Sequence, residues 1–396
     1  MNENSGSATR FFFLLGLVAL WAWPSLFFVP VVLGRDSSAL TLASAVVSFA
    51  VGIAVVACAS LLVSRGSSRP WFIYGAIGVS LLAFVVVIPA YYFGVEAGLM
   101  GGLGGTRGEA MDIALERLLR GEYPYSVSTT DQQPLTPLPG GLLLAMPATV
   151  GLGSAAFLSA YLLPIGIFLV FAVDKISAGI AAVALVAAPA LWTDYLSEGD
   201  LVATSFLAFA LGLLVLRSAS SDAGISRWIW PLLLGIVGAT RVTTMVVAVL
   251  VAALLINSGR IRVALVQFGE SIGVFLLLSV PFYLWNPDEF SPLHVSRFAK
   301  NNLGLLMVAV ATVVLCVWLA RSRWVARSPH PAGLALACSV FAFLATALPM
   351  LASLDTRADT GELLSGYAVL GLTAPIAVLA LRRNSSPKTS PAPSQG

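Results

Sequence analysis

Long uncharged apolar runs, separated by short polar breaks, set the pattern of this chain. Runs long enough to cross a bilayer fall at 11–34, 39–63, 71–93, 153–173, 176–192, 200–216, 263–285, 303–320, 331–351 and 364–381. Residues 138–152 (LPGGLLLAMPATVGL) form a shorter apolar run carrying Pro139 and Pro147. Residues 228–256 form one run too long for a single span, interrupted near Gly238, Thr240 and Arg241. The charge at the break predicts a helical hairpin turning near Arg241, with one tilted helix as the alternative. The only long hydrophilic stretch is 94–137, glycine-rich over 94–106. From Gly108 to Tyr125 (GEAMDIALERLLRGEYPY), Met111, Leu115, Leu118 and Leu119 recur at helical spacing, while Glu109, Asp112 and Glu116 share the opposite face. Gly121 and Pro124 then stop the helix. The pattern predicts an all-α polytopic membrane protein of about 11–13 transmembrane segments, with an amphipathic helix on its outer surface. Residues 1–381 read as a single transmembrane domain and 382–396, rich in Ser, Pro and Lys, as a disordered tail.

Composition narrows the class. The chain is 58% hydrophobic and only 10% charged, with a mean hydropathy of +0.91. A soluble domain carries about 25% charged residues, so a soluble enzyme, a disordered protein and a nucleic-acid binder are all excluded. Cys58, Cys316 and Cys338 sit in apolar runs without metal-ligand spacing, which also excludes a disulfide scaffold. With only His294 and His330, a histidine-rich metal site is poorly supplied. The run after Arg10 is too long for a signal-peptide core and reads as a retained first span.

The few charges sort by side. Arg65, Arg69, Arg217, Arg227, Arg260, Arg262, Arg321, Arg323, Arg327, Arg382, Arg383 and Lys388 mark one set of loops, nearly free of acids. The positive-inside rule places these in the cytoplasm, together with both termini. The acidic segments 94–137, Asp194 to Asp200, 286–302 and 352–363 then face outward. Parity requires 138–152 to dip in and return, or to lie along the surface; if it spans, the Asp174–Lys175 turn faces the wrong way. No internal repeat of the kind that builds inverted-repeat transporters is visible.

Several outward residues carry two readings. The acids of the outer helix form either a solvated face, with Glu116 relieved by Arg120, or a source of a general base. Glu198-Gly199-Asp200, with Asp194 nearby, is either a cluster for a hard divalent cation or a corner in which Asp200 caps the helix starting at Leu201. Tyr123, Tyr125, Trp192, Tyr195, Tyr283 and Trp285 form an interfacial belt or stack on sugars. Glu270, inside the span 263–285, reads as hydrogen-bonded within the bundle, to Gln267 or a serine.

The run DIALERLLRGEYPY (112–125) followed by PLTPLPGGLLLAMP (134–147) resembles the first outer loop of polyprenyl-phosphate-sugar-dependent membrane glycosyltransferases of the GT-C class, in their mannosyltransferase-like branches. In the same order, SEGDL (197–201), GIVGATR (235–241) and VPFYLWNPDEF (280–290) resemble that family's outer corner, helix turn and late outer loop. The resemblance covers about residues 71–300, and 11–63 look like two extra spans before it. It implies a GT-C-like bundle in the cytoplasmic membrane with an outward active site. The implied reaction transfers one sugar, mannose first, from a polyprenyl-monophosphate donor to a hydroxyl of a glycan or glycolipid acceptor, with inversion. It also implies a carboxylate base from the outer helix (Asp112 ahead of Glu109), with Arg107 standing where relatives place an acid. The leaving phosphate would be met by Arg241, or by Arg297 and Lys300. Tyr125, Asp194, Asp200 and His294 would contact substrate, membrane lipids would surround the bundle, and a divalent cation is left open. A secondary transporter or flippase, a glycan polymerase or ligase using a lipid-pyrophosphate donor, and an inactive scaffold remain alternatives on the same residues.

Overall fold

A computed structural model describes residues 3–33, 38–65, 70–91, 107–220, 224–293, 303–352 and 368–385, except for positions 88, 131, 133, 324, 326, 327 and 329. Among these every named element is a helix, and the only strand-like pairing is an isolated bridge between Ser128 and Pro134. The helices are α1 (Glu3–Leu33), α2 (Ser38–Arg65), α3 (Trp71–Leu82, running into a π turn at Ala83–Val87), α4 (Arg107–Leu119) and α5 (Pro139–Leu152). Then come α6 (Leu158–Val173), α7 (Lys175–Val186), α8 (Pro189–Leu196), α9 (Leu201–Ala219), α10 (Ser226–Gly238) and α11 (Val242–Asn257). The bundle closes with α12 (Ile261–Trp285), α13 (Leu303–Arg321), α14 (His330–Ala352) and a 3-10 helix at Val369–Ser385. Among the described residues seven helices are long and apolar enough to cross a membrane, or eight if α7 and α8 make one span. This fits a multi-pass membrane protein.

The count, made of the described residues, falls below the 11–13 segments read from hydropathy partly because local breaks shorten two of the runs, and partly because the run 364–381 and the side chains at the start of α13 lie partly outside the described residues. The run 176–192 is not one helix: α7 and α8 meet at a 62° bend. Ala188 is extended and Pro189, which has no N–H to give, starts the new helix. The run 228–256 is the expected hairpin. Arg241, with extended backbone, separates α10 from α11, each shorter than a full span. The tail read as disordered from Arg382 is helical through Ser385; residues 386–396 lie outside the described residues.

The core centres on α9, which is buried along nearly its whole length and packs against α6, α10, α11 and α14. The outer faces carry exposed Phe168, Val150, Leu265 and Leu277. In water such patches would drive association, whereas lipid solvates them. At one end of the bundle, Arg217 donates to the carbonyl of Ala172 at the end of α6, Arg260 donates to that of Ala219, and Asn257 donates to that of Ser322. The arginines of the basic loops thus close helix C-termini, where cations meet the negative end of the dipole. At the opposite end lie α4, the start of α9 and the α10–α11 turn.

Both ends of α5 belong to this second end. Its start is held by Leu138 N–H donating to Thr240 O (3.4 Å) and Gly140 N–H to Ala239 O (2.9 Å). Its last turn and the following Ser154 are bonded to α4 through Asp112. Helix α5 therefore enters and leaves at the same end, which satisfies the parity of the chain and puts the Asp174–Lys175 turn at the basic end. The same geometry makes two adjacent glycines unequal. A Cβ on Gly140 would overlap the carbonyl of Ile236 and the backbone of Ala239, while one on Gly141 would meet only ordinary contacts at 3.8–3.9 Å. Gly140→Ala should destabilise the protein by about 1–3 kcal/mol and Gly141→Ala should be tolerated, as measured by thermal unfolding in detergent.

Glu270 departs from expectation. Among the described residues its carboxylate has no hydrogen-bond partner, and neither has the amide of Gln267, which is 2% exposed. Ser271, the serine nearest to them on α12, instead donates to Pro231 O.

Candidate active site: an acidic groove at the polar end

Helix α4 forms as its sequence pattern requires. Ala110, Met111, Ala114 and Leu115 are buried, and Gly121, at φ +76°, ends the turn that follows. Leu119, assigned to the apolar stripe from its spacing, is instead 60% exposed. It sits with the acids on the rim of a groove, because a stripe at i, i+4, i+7 and i+8 is wider than the surface that α4 buries. The groove has a volume of about 560 Å³. Glu109, Asp112, Glu116, Thr149, Ser154 and Glu198 supply its polar lining, with Ile113, Leu119 and Val150 as apolar edges.

The four carboxylates differ in what they already hold. Asp112 Oδ1 accepts from the Thr149 hydroxyl and the Ala155 N–H, both at 2.7 Å, and Oδ2 accepts from the Ser154 hydroxyl at 2.9 Å. Three of its four or so acceptor positions are filled, and the residue pins α4 to the corner between α5 and α6. Glu109 accepts from the N–H of Thr130 (2.9 Å) and from its hydroxyl, which ties down the loop after α4. Glu116 forms the expected i, i+4 ion pair with Arg120. Glu198 is a different case: no hydrogen bond is made to its carboxylate among the described residues. Burial, then the negative charges of Asp112 and Glu109, push its pKa up. Its backbone is left-handed at φ +56°, a conformation that costs a non-glycine residue about 1 kcal/mol or more.

Beneath this corner lies a cluster of alternating charge. Asp200 pairs with Arg241 at 2.5 Å, their side chains 4% and 19% exposed. Arg107, at the start of α4, lies 3.6 Å from Asp194. Burial opposes the charge of Asp200, but the guanidinium groups of Arg241 and Arg107 outweigh it and hold its carboxyl below the usual range. Asp200 occupies the N-cap position of α9 but its side chain does not cap, because Arg241 takes it. Asp194, which belongs to α8 rather than to a loop, does the capping instead: its Oδ2 accepts from Val202 N–H at 2.9 Å. Gly199 must be glycine, since a Cβ there would overlap Asp194.

The remaining sequence candidates divide. His294, Arg297, Lys300 and the glycine-rich 94–106 lie outside the described residues. Tyr125 is buried, donates its hydroxyl to Pro137 O at 2.8 Å, and packs edge-on against Tyr123, Phe282 and Phe290. With Tyr123 donating to Asn286 O, this aromatic cluster docks the loop after α4 on the end of α12. Trp192 donates to Val186 O across the α7–α8 bend, while Tyr283 and Trp285 are exposed. Among the described residues no three His, Cys, Asp or Glu side chains converge as a metal site. The sequence offers Glu198 only as half of a cation motif with Asp200, and Arg107 only as the residue standing where the resembling family has an acid; it gives no sign of Thr149 or Ser154. The i+2 link from Glu198 to Asp200 was visible, but its reach across to α4 was not.

Comparison with known proteins finds no matching family model, no matching characterised protein and no matching solved structure.

Two outcomes follow from this geometry. Arg241→Met leaves Asp200 buried without its partner and should cost about 3–5 kcal/mol, whereas Arg241→Met with Asp200→Leu should cost far less, as read from chemical unfolding in detergent. Glu198 has a raised pKa when folded, so its protonation stabilises the fold at low pH and that contribution is lost as pH rises through the raised value. Glu198→Gln should therefore unfold at a higher temperature than wild type near pH 8, and at the same temperature at about pH 3, below the ordinary glutamate range.

Proposed function

We propose that this protein is an integral membrane glycosyltransferase of the GT-C type. In this reading it moves a sugar, mannose first, from a polyprenyl-monophosphate donor to a hydroxyl of a glycan or glycolipid, on the extracytoplasmic side of the cytoplasmic membrane. Both termini are cytoplasmic in this reading, because the basic end carries the positive-inside arginines. The observation that supports it best is the groove itself. Four carboxylates converge on one open cavity with apolar edges, and the corner Glu198–Asp200 joins that cavity to the Arg107, Asp194 and Arg241 cluster.

The division of labour suits displacement at an anomeric carbon. A carboxylate of the groove takes the proton of the acceptor hydroxyl as it attacks. Arg241 and Arg107, already oriented by aspartates and still partly exposed, meet the charge that grows on the departing lipid phosphate. Arginine suits this role because its planar fork fits two phosphate oxygens at once. The apolar edges Leu119 and Val150 offer the polyprenyl chain a path at the groove mouth.

The test is a donor comparison. Purified protein in lipid nanodiscs is given a polyprenyl-monophosphate mannose and, separately, a lipid-pyrophosphate oligosaccharide, with an alkyl mannoside as acceptor. Transfer from the monophosphate is the expected result, and Arg241→Lys should reduce it at least tenfold. Transfer from the pyrophosphate alone would reject the reading.

A further inference from the structure

We infer that Glu198, rather than an acid of α4, is the general base of the groove, and that Asp112 and Glu109 are positioning residues. This rests on the transferase reading above.

A base must meet the incoming hydroxyl with an unoccupied lone pair and must be within hydrogen-bond reach. Asp112 already accepts three hydrogen bonds, one from a backbone N–H at the first turn of the helix after the corner. Protonating it would break a junction that holds three helices. Glu109 is held by Thr130 through two bonds, both to Oε1, and Glu116 by Arg120 through Oε1, so each of these carboxylates is already anchored by a donor although its Oε2 accepts no bond among the described residues. Glu198 alone of the four lines the groove with a carboxylate that no donor of the described residues engages.

Its placement is enforced. Glu198 sits in a left-handed backbone conformation between α8 and α9, with Tyr195 O accepting from its N–H at 3.0 Å. The next residue, Gly199, donates to Asp194 O and has no room for a side chain. The carboxylate is packed against Gly108, whose missing side chain makes the approach possible: a Cβ there would stand 2.7 Å from Glu198 Oε2. A strained residue held by its neighbours in a functional cleft is what a prepositioned reactive group looks like. From α4 the charged groups facing it are Glu109 and Asp112, while the end of α5 and the corner before α6 contribute the hydroxyls of Thr149 and Ser154. Both acids, together with burial, raise its affinity for a proton, which moves a carboxylate toward the range useful to a base at neutral pH.

The step balances as follows. Glu198 takes the proton of the acceptor hydroxyl, and the acceptor oxygen forms a bond to the anomeric carbon from the face opposite the phosphate. The bond from that carbon to the phosphate oxygen breaks, and its electron pair leaves with the lipid phosphate. The products are the inverted glycoside, the lipid monophosphate and a protonated Glu198, which returns its proton to solvent at the open groove.

The experiment uses the full chain in nanodiscs, with whichever donor supports transfer in the donor comparison and an alkyl mannoside as acceptor. Glu198→Gln should lower kcat by about 100-fold or more with the KM for donor changed less than about threefold, and Glu198→Asp should keep part of the rate. The acid limb of wild-type kcat/KM should lie above the ordinary glutamate range. In Glu109→Gln that limb should shift to lower pH, because a neighbouring negative charge is gone, a change that a purely structural Glu198 would not produce. Near-normal kcat in Glu198→Gln, or an acid limb unmoved by Glu109→Gln, would overturn the assignment while leaving the transferase reading intact. No transfer by wild type from either donor would overturn both.

Discussion

At the polar end of the bundle, a half-buried arginine and a buried aspartate hold the bundle's most enclosed helix to the turn between α10 and α11. Asp200 stands at the start of α9, and Arg241 stands where α10 breaks into α11. Neither charge is stable there alone, since a charge taken from water needs a partner or other donors. Once they meet, the start of α9 is fixed beside the hairpin turn. That turn in turn receives the first residues of α5 through the carbonyls of Ala239 and Thr240. Asp194 joins the same cluster from α8 and brings Arg107, hence the whole of α4, to its edge. One charged junction thereby positions the elements that line the groove.

The groove is the consequence of arranging polar groups where apolar helices end. Helix α4 buries one face and leaves its acids on the other. The chain then returns through α5 to a corner where Ser154 and the N–H of Ala155 meet Asp112. The short corner after α8 swings Glu198 across to the same opening. Like charges this close repel, and the surrounding structure offsets the repulsion by bonding three of the four carboxylates to donors. The fourth carries the residual cost as a raised proton affinity. In the proposed reading, stability and chemistry are thus divided among side chains of the same type.

Much of the architecture was legible in the order of residues. Hydropathy located the helices, the charge at Arg241 marked the hairpin turn, and the i, i+3, i+7 acids of α4 gave the groove wall. The break before Pro189 was missed because an apolar run of the right length conceals it, and hydropathy does not register a lost N–H. Leu119 was misplaced because helical spacing does not say how wide a stripe the neighbours cover. The capping of α9 went to Asp194 instead of Asp200 because a partner 41 residues away, Arg241, competes for the nearer acid. Glu198 reads in the sequence as half of a cation motif with Asp200 for the same reason: its place on the groove wall depends on a contact with Gly108, far along the chain. Local patterns specify elements, while the groove is made by side chains brought together from helices and corners distant in the chain.

In the proposed reading the acidic groove is where a lipid-linked sugar reacts. The most direct measurement is photocrosslinking with a polyprenyl-monophosphate sugar bearing a photoreactive group on the sugar, followed by peptide mapping of the full chain. The account predicts crosslinks in 107–119, 149–158 and 197–201, the segments that wall the groove. Crosslinks confined to the basic end, around Arg217, Arg260 and Arg321, would contradict it.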